Sequence, residues 1–167
     1  MMKLTATEIE IAEILEKDAR LSNEEVAKMT DLSLEQTREI IKKLEEQKVI
    51  VRYVTLVDWG KIDGHQGVTA MIDVKVTPKR DVGFNKVAER IYRHSEVKSV
   101  YLMSGTYDLS VVVEGHSVNE VAHFVTQKLS TIEGVISTTT HFVLKKFKHD
   151  GTVYDQDQKD NRIVVSP

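Results

Sequence analysis

At three candidate helix starts between Thr5 and Gln36, a hydroxyl side chain stands three positions ahead of a Glu or Gln. The matches are Thr5-Ala6-Thr7-Glu8, Ser22-Asn23-Glu24-Glu25 and Ser33-Leu34-Glu35-Gln36. This is the capping-box spacing, in which the hydroxyl and the longer side chain each take an N–H left without a partner at a helix start. Apolar residues at helical period follow each match, so residues 4–50 are predicted to form three helices. The middle one is short, about Asn23 to Met29. The third runs from about Leu34 to Gln47, with Thr37, Ile40, Ile41 and Leu44 turned inward.

The short middle helix, a tight turn and a longer third helix match the requirements of a DNA-reading helix-turn-helix. Ala27 is small enough for close helix packing, Val26 lies beside it and Leu32 plugs the turn. Asp31 occupies the turn itself, where its short polar side chain tolerates left-handed backbone. Ile40 and Leu44 anchor the third helix. Glu35, Gln36, Arg38, Glu39, Lys42 and Lys43 then point outward. Arg38 and Gln36 have the donors to read guanine or adenine edges. Glu35 and Glu39 can accept from cytosine, and Lys42, Lys43 and Arg52 can hold phosphates. Ser22 and Ser33, at the two helix starts, complete the candidate DNA-contacting set. Taken alone, the same three helices would also suit a packing module with a solvated charged face.

Charge bears directly on that choice, because phosphate contacts dominate affinity for DNA. The chain has a net charge of −3, and residues 1–60 carry nine Lys/Arg against thirteen Asp/Glu. DNA binding must therefore come from local placement of cations and not from overall attraction. The absence of cysteine excludes disulfides, thiol nucleophiles and thiolate metal sites, and fits a reducing cytoplasm. No apolar run approaches the roughly 20 residues of a membrane helix, and the N-terminus lacks the pattern of a secretory signal.

Beyond Lys48 the composition turns β-branched and aromatic. Val49-Ile50-Val51 and Tyr53-Val54-Thr55-Leu56-Val57 are predicted as two short strands, and the glycine-bearing stretch from Asp58 to Gly67 as a linker. From Val68 the pattern becomes strand, helix, strand, strand, helix, strand. Ala70, Ile72, Val74 and Val76 alternate with Met71, Asp73 and Lys75. Phe84, Val87, Ala88, Ile91 and Tyr92 fall on one helical face, as do Val118, Val121, Ala122, Val125 and Leu129. Val97–Ser104, Tyr107–Glu114 and Val135–Phe147 supply the remaining strands. Glu96-Val97-Lys98-Ser99 and Gly134-Val135-Ile136-Ser137 enter their strands alike, a faint echo of two βαβ halves. The expected class is α+β: a helix-turn-helix over residues 1–52, a strand and linker over 53–67, a ferredoxin-like βαββαβ domain over 68–148, and a tail over 149–167.

The chain resembles the Lrp/AsnC family of leucine-responsive and asparagine-operon regulators. The resemblance lies in Ile14-Leu15-Glu16-Lys17-Asp18-Ala19-Arg20, Ser22-Asn23-Glu24-Glu25-Val26-Ala27, Leu32-Ser33, Lys42-Lys43-Leu44-Glu45-Glu46 and Val49-Ile50. It continues in Ser104-Gly105-Thr106-Tyr107-Asp108-Leu109 and in the Gly134-Val135 entry to Thr138-Thr139-Thr140. It covers roughly residues 4–147, in order and with family spacing. It implies that the first domain is a winged helix-turn-helix with a double-stranded DNA partner, joined to a sensing domain that dimerises through its sheet. It further implies assembly of dimers into higher oligomers, commonly octamers, and small effectors, usually amino acids, bound between dimers near a Gly-x-Tyr-Asp turn. The positions that match are Gly105, Tyr107 and Asp108, with Thr106 between them. The chain departs from the family pattern in having Leu34 after Ser33 where proline is usual, Glu39 where a basic residue is common, and Lys48 where glycine is common.

The residues of that turn have chemistry of their own. Asp108 offers a carboxylate to a ligand ammonium, and neighbouring N–H groups can take a ligand carboxylate. The same four residues also suit a plain hairpin turn. Elsewhere, His65, His94, His116, His123, His141 and His149 form no i, i+4 pair with ligand spacing. No phosphate loop, nucleophile elbow or Walker motif is present. No catalytic residue, metal or cofactor is therefore expected. The expectation is a cytoplasmic, homo-oligomeric, sequence-specific DNA-binding transcriptional regulator that answers to a small metabolite, an amino acid by the resemblance. The alternatives are a metabolite sensor of the same fold that does not bind DNA, and an enzyme resembling the siroheme decarboxylases.

Overall fold

The structure is a computed structural model, and it describes residues 3–64, 67–77 and 83–154. The chain divides between Val57 and Asp58 into two compact units, within the stretch read as strand and linker over 53–67.

The first unit contains three helices, α1 (Ala6–Lys17), α2 (Asn23–Thr30) and α3 (Leu34–Glu46). All three predicted capping boxes are formed, with Thr5, Ser22 and Ser33 as N-caps and Glu8, Glu25 and Gln36 reaching back. Ile11, Leu15, Val26, Ile41 and Leu44 form the core, and Leu21, Leu32, Ile40 and Ile50 pack around it. The inward stripe of α3 is Thr37, Ile41 and Leu44, while Ile40 is only partly buried. Asp31 adopts the left-handed conformation (φ 53, ψ 39) and its N–H donates to the Ala27 carbonyl.

The two strands expected over 49–51 and 53–57 are not paired within the chain: residues 51–57 belong to no helix or strand. Two causes are local. A single residue, Arg52, separates the two stretches, too few for even a two-residue hairpin turn. The N–H groups of Val49 and Ile50 are also already committed, both donating to the Leu44 carbonyl at 2.9 and 3.1 Å. Lys48 takes φ 57 to start that turn.

The second unit is built from β1 (Val68–Val76), α4 (Phe84–Tyr92), β2 (Val97–Leu102), β3 (Leu109–Gly115), α5 (Val118–Phe124, continued by a π-helical turn to Leu129) and β4 (Val135–Phe142). Its sheet has the order β2-β3-β1-β4 with every neighbour antiparallel, the ferredoxin-like arrangement. Ala70, Ile72, Val74, Val76, Leu109, Val111 and Val113 pack on Val87, Ile91, Val121, Phe124 and Leu129 from the helices. The opposite sheet face carries Met71, Asp73 and Lys75. At the entry to β4, Gly134 holds φ 99, and a Cβ there would stand 3.3 Å from Val87.

The strands at the central hairpin are shorter than expected, ending at Leu102 and resuming at Leu109. The last strand stops at Phe142 and not at Phe147. The expected tail begins with a small hairpin instead, β5 (Lys148–His149) paired with β6 (Thr152–Val153). Asp150 and Gly151 form its turn with φ 45 and 73, the two positive values of a type I′ connection that Asp-Gly favours. Residues 155–167, including Ile163-Val164-Val165, and His65 lie outside the described residues. Among the described residues, no helix is long and apolar enough to cross a membrane.

A core of so few side chains leaves the first unit sensitive to single truncations. Leu44→Ala is expected to cost it about 2–5 kcal/mol. Urea unfolding followed by circular dichroism would then show an early helical transition, ahead of loss of the sheet unit.

Candidate nucleic-acid interface and effector turn

The outward face of α3 is assembled from the predicted residues, but their environments differ. Ser33 Oγ accepts from the Gln36 N–H (3.2 Å), and Gln36 Oε1 accepts from the Ser33 N–H (3.1 Å). Gln36 therefore spends its carbonyl oxygen on the cap and keeps only its amide nitrogen for other contacts. Ser22 is engaged in the same way with Glu25, and these bonds hold the Glu25 carboxyl below the usual carboxylate range. Glu35, Arg38, Glu39, Lys42 and Arg52 are exposed. Arg38 Nη2 lies 3.4 Å from Glu24 Oε1 on α2. Lys42 pairs one turn along with Glu46 at 3.8 Å.

Lys43, half exposed, has a partner on the first helix. Its Nζ donates to Glu8 of α1, whose side chain is only 7% exposed. Glu8 also accepts from the Thr5 N–H at 2.8 Å. Glu8 is the functionally placed residue that sequence reasoning missed. Its position relative to Ile11 and Leu15 is the signal, since a carboxylate on an apolar stripe requires a partner. Glu45 is likewise engaged, accepting from the Tyr53 hydroxyl at 2.8 Å. Partial burial and this bond push the Tyr53 phenol up to about 12.

In the second unit, the four predicted effector residues lie together between β2 and β3. Gly105 and Thr106 are exposed, and Tyr107 and Asp108 are half-buried. Asp108 accepts from the Val76 N–H at 2.8 Å, at the irregularity where the β1–β4 register shifts between Lys75 and Val76. The Asp108 N–H donates to the Val74 carbonyl and its carbonyl accepts from the Met103 N–H. Lys75 Nζ donates to the Thr106 carbonyl at 2.7 Å and stands 3.9 Å from Asp108 Oδ2. The Tyr107 hydroxyl meets Thr139 Oγ1 at 2.9 Å. One oxygen of Asp108 thus shapes the turn. Among the described residues, the Gly105 and Thr106 N–H groups make no hydrogen bond to backbone or side chain.

The described histidines are dispersed. His94 meets Phe124 edge-on with ring centres 5.6 Å apart, and His141 Nε2 lies 3.2 Å from Asp73 Oδ2. Among the described residues, no three His, Asp or Glu side chains are grouped to hold a metal ion. A cavity of about 660 Å3 lies at the opposite end of the sheet from the Gly105 turn, lined by Trp59, Thr69, Glu96, Lys98, Glu114 and Lys146 among others. Among its lining residues, Lys98 and Lys146 pair with Glu114, and Glu96 pairs with Lys128.

The Glu8 contact makes a pH prediction. The Lys43 hydrogen bond, followed by the Thr5 N–H, lowers the Glu8 carboxyl below its ordinary 4.5. A carboxyl that titrates lower when folded stabilises fully above its unfolded value, and that contribution is lost as pH falls through the folded one. Glu8→Gln should therefore melt earlier than the unsubstituted protein at pH 7, with the gap closing as pH falls below 4.5. Melting curves of both proteins across that range check this.

The Lrp/AsnC ligand-binding domain matches residues 69–153, and a winged helix-turn-helix DNA-binding domain matches residues 4–51. The chain is 61% identical over 166 residues to the uncharacterized HTH-type transcriptional regulator YugG of Bacillus subtilis, covering 99% of this chain and all of that protein. It is 30% identical over 138 residues to the HTH-type transcriptional regulator LrpA of Pyrococcus horikoshii, covering 83% and 94% of the two chains. Among solved structures, a transcriptional regulator of Neisseria meningitidis in complex with L-Met superimposes with a TM-score of 0.70 at 27% identity, over 88% of this chain and 94% of that one. AsnC of E. coli shares the fold, with a TM-score of 0.67 at 22% identity over 87% and 95%. With both halves matched in order, and with whole-length relatives named as regulators, the chain belongs to the Lrp/AsnC family of DNA-binding transcriptional regulators with a ligand-binding domain.

Proposed function

We propose that this regulator is cytoplasmic and homo-oligomeric, that it reads a specific DNA sequence through α3, and that it answers to an amino acid bound at the Gly105–Asp108 turn. The observation that carries the DNA reading is the exposed row Glu35, Gln36, Arg38, Glu39 and Lys42 on a helix whose first turn is capped from within by Ser33 and Gln36. Such a helix can enter a major groove without giving up a structural contact. Two copies in a dimer would read a pseudo-palindrome, with Arg52 and the starts of α2 and α3 against phosphates.

The effector reading rests on the turn's hydrogen-bonding state. The unpartnered N–H groups of Gly105 and Thr106 suit a ligand carboxylate, and the oxygen of Asp108 not used by Val76 suits an ammonium. Together these complement an α-amino acid. The neighbouring structure that carries L-Met makes methionine the first ligand to try. The effector would act between dimers, shifting assembly by the difference in its affinity for two assembly states. No catalytic residue, metal or cofactor is part of this proposal.

The paired cations of α3 favour a second reading, a ligand sensor of the same fold that has given up DNA. Mobility shifts on DNA from the gene's own upstream region separate the two. The regulator should bind tightly, with affinity falling as salt rises. Arg38→Ala should cost about 1–3 kcal/mol and relax specificity at one base position. Binding no better than to random DNA at low salt would favour the sensor.

For the effector, thermal shift with single amino acids should raise the melting temperature for at least one of them, as binding to the native state requires. Asp108→Asn keeps an acceptor for the Val76 N–H but loses the charge. It should fold normally and lose most of that shift. An undiminished shift in Asp108→Asn would remove Asp108 from the site.

A further inference from the structure

The contact between Arg38 and Glu24 links the start of α2 to the first half of α3. We propose that Glu24 is a positioning residue for DNA reading: it holds the Arg38 guanidinium so that the free part of its fork meets guanine in the major groove. The inference rests on the DNA reading above and assigns a residue outside the groove-facing row to it.

Four observations support it. Glu24 is not needed to close its own helix, because Ser22 and Glu25 form that capping box. Arg38 is the only cation between Leu34 and Ile41, the N-terminal part of the second helix, which meets base edges in this motif. The contact is made by Nη2 alone, so most of the guanidinium donors remain available for the two-point contact with guanine O6 and N7. Both side chains are more than half exposed, at 58% and 54%. DNA can therefore approach Arg38 without breaking the pair.

The physical gain is preorganisation. Arginine is long and loses rotamer freedom when it docks on a base. A carboxylate that holds it beforehand transfers part of that loss to the free protein. An exposed pair of this kind adds little to folding, so a stability role does not account for it. The carboxylate also repels phosphates. Glu24 therefore raises discrimination between sequences while lowering affinity for DNA in general, two effects that an experiment can separate.

Selection from a randomised duplex DNA library, using the full-length protein, provides the test. The unsubstituted protein should enrich a half-site with guanine preferred about tenfold at one position. Arg38→Ala should abolish that preference. Glu24→Gln should cut it to about threefold, within what an exposed pair can supply, and so should Glu24→Asp, which keeps the charge but is one methylene too short. The double variant should do no worse than Arg38→Ala alone. Binding to random duplex at low salt should fall in Arg38→Ala but hold or rise in Glu24→Gln, which loss of fold could not produce. A guanine preference undiminished in both Glu24 variants overturns the positioning role and leaves DNA reading intact. If the unsubstituted protein enriches no sequence, the DNA reading itself falls, and the inference with it.

Discussion

Burial of Ile11, Leu15, Val26, Ile41 and Leu44 is the interaction on which the DNA-binding half depends. A unit of this length removes little apolar surface from water, so its margin over chain entropy is narrow. Whatever else its helices need must be satisfied locally. Each helix therefore begins with a self-contained capping box, and the left-handed Asp31 sets the turn without enlarging the core. The sheet unit has a wider core and can afford an irregularity in β1, which Asp108 closes.

Economy of the core also explains the charge pattern. Glu8 lies on the buried stripe of α1, where an unpaired carboxylate would be costly. Lys43 answers it from α3 and ties the first helix to the third. The third helix thereby gives one of its three cations to the fold. Arg38 and Lys42 also have carboxylate partners, on α2 and on α3 itself. An acidic domain that binds DNA must place its few cations accurately, since it has no surplus attraction to compensate for a misplaced one.

Local rules made most of this architecture legible. The three caps, the left-handed Asp31, the alternation in β1 and the apolar stripes of α4 and α5 each depend on residues within a few positions of one another, and each was visible. What stayed hidden depends on distant partners. Lys43 looks like a free cation until Glu8, 35 residues away, is folded beside it. Asp108 looks like a free carboxylate until the β1 irregularity meets it across 32 residues. The strands expected at 49–57 have the right composition, but composition supplies no ladder partner, and the Leu44 carbonyl had already taken two of their N–H groups. The Asp150-Gly151 hairpin is encoded in its dipeptide alone, inside a stretch whose polar composition otherwise reads as a tail.

The self-closed start of α3 also bears on how such a regulator changes over generations. Because Ser33 and Gln36 satisfy the helix start and Thr37, Ile41 and Leu44 hold it down, Glu35, Glu39 and Lys42 contribute little to keeping the protein folded. Substitutions at these positions are nearly neutral for survival of the molecule, whatever they do to its target. A duplicated gene could drift through many variants of this face and acquire a new set of controlled promoters without passing through an unfolded ancestor.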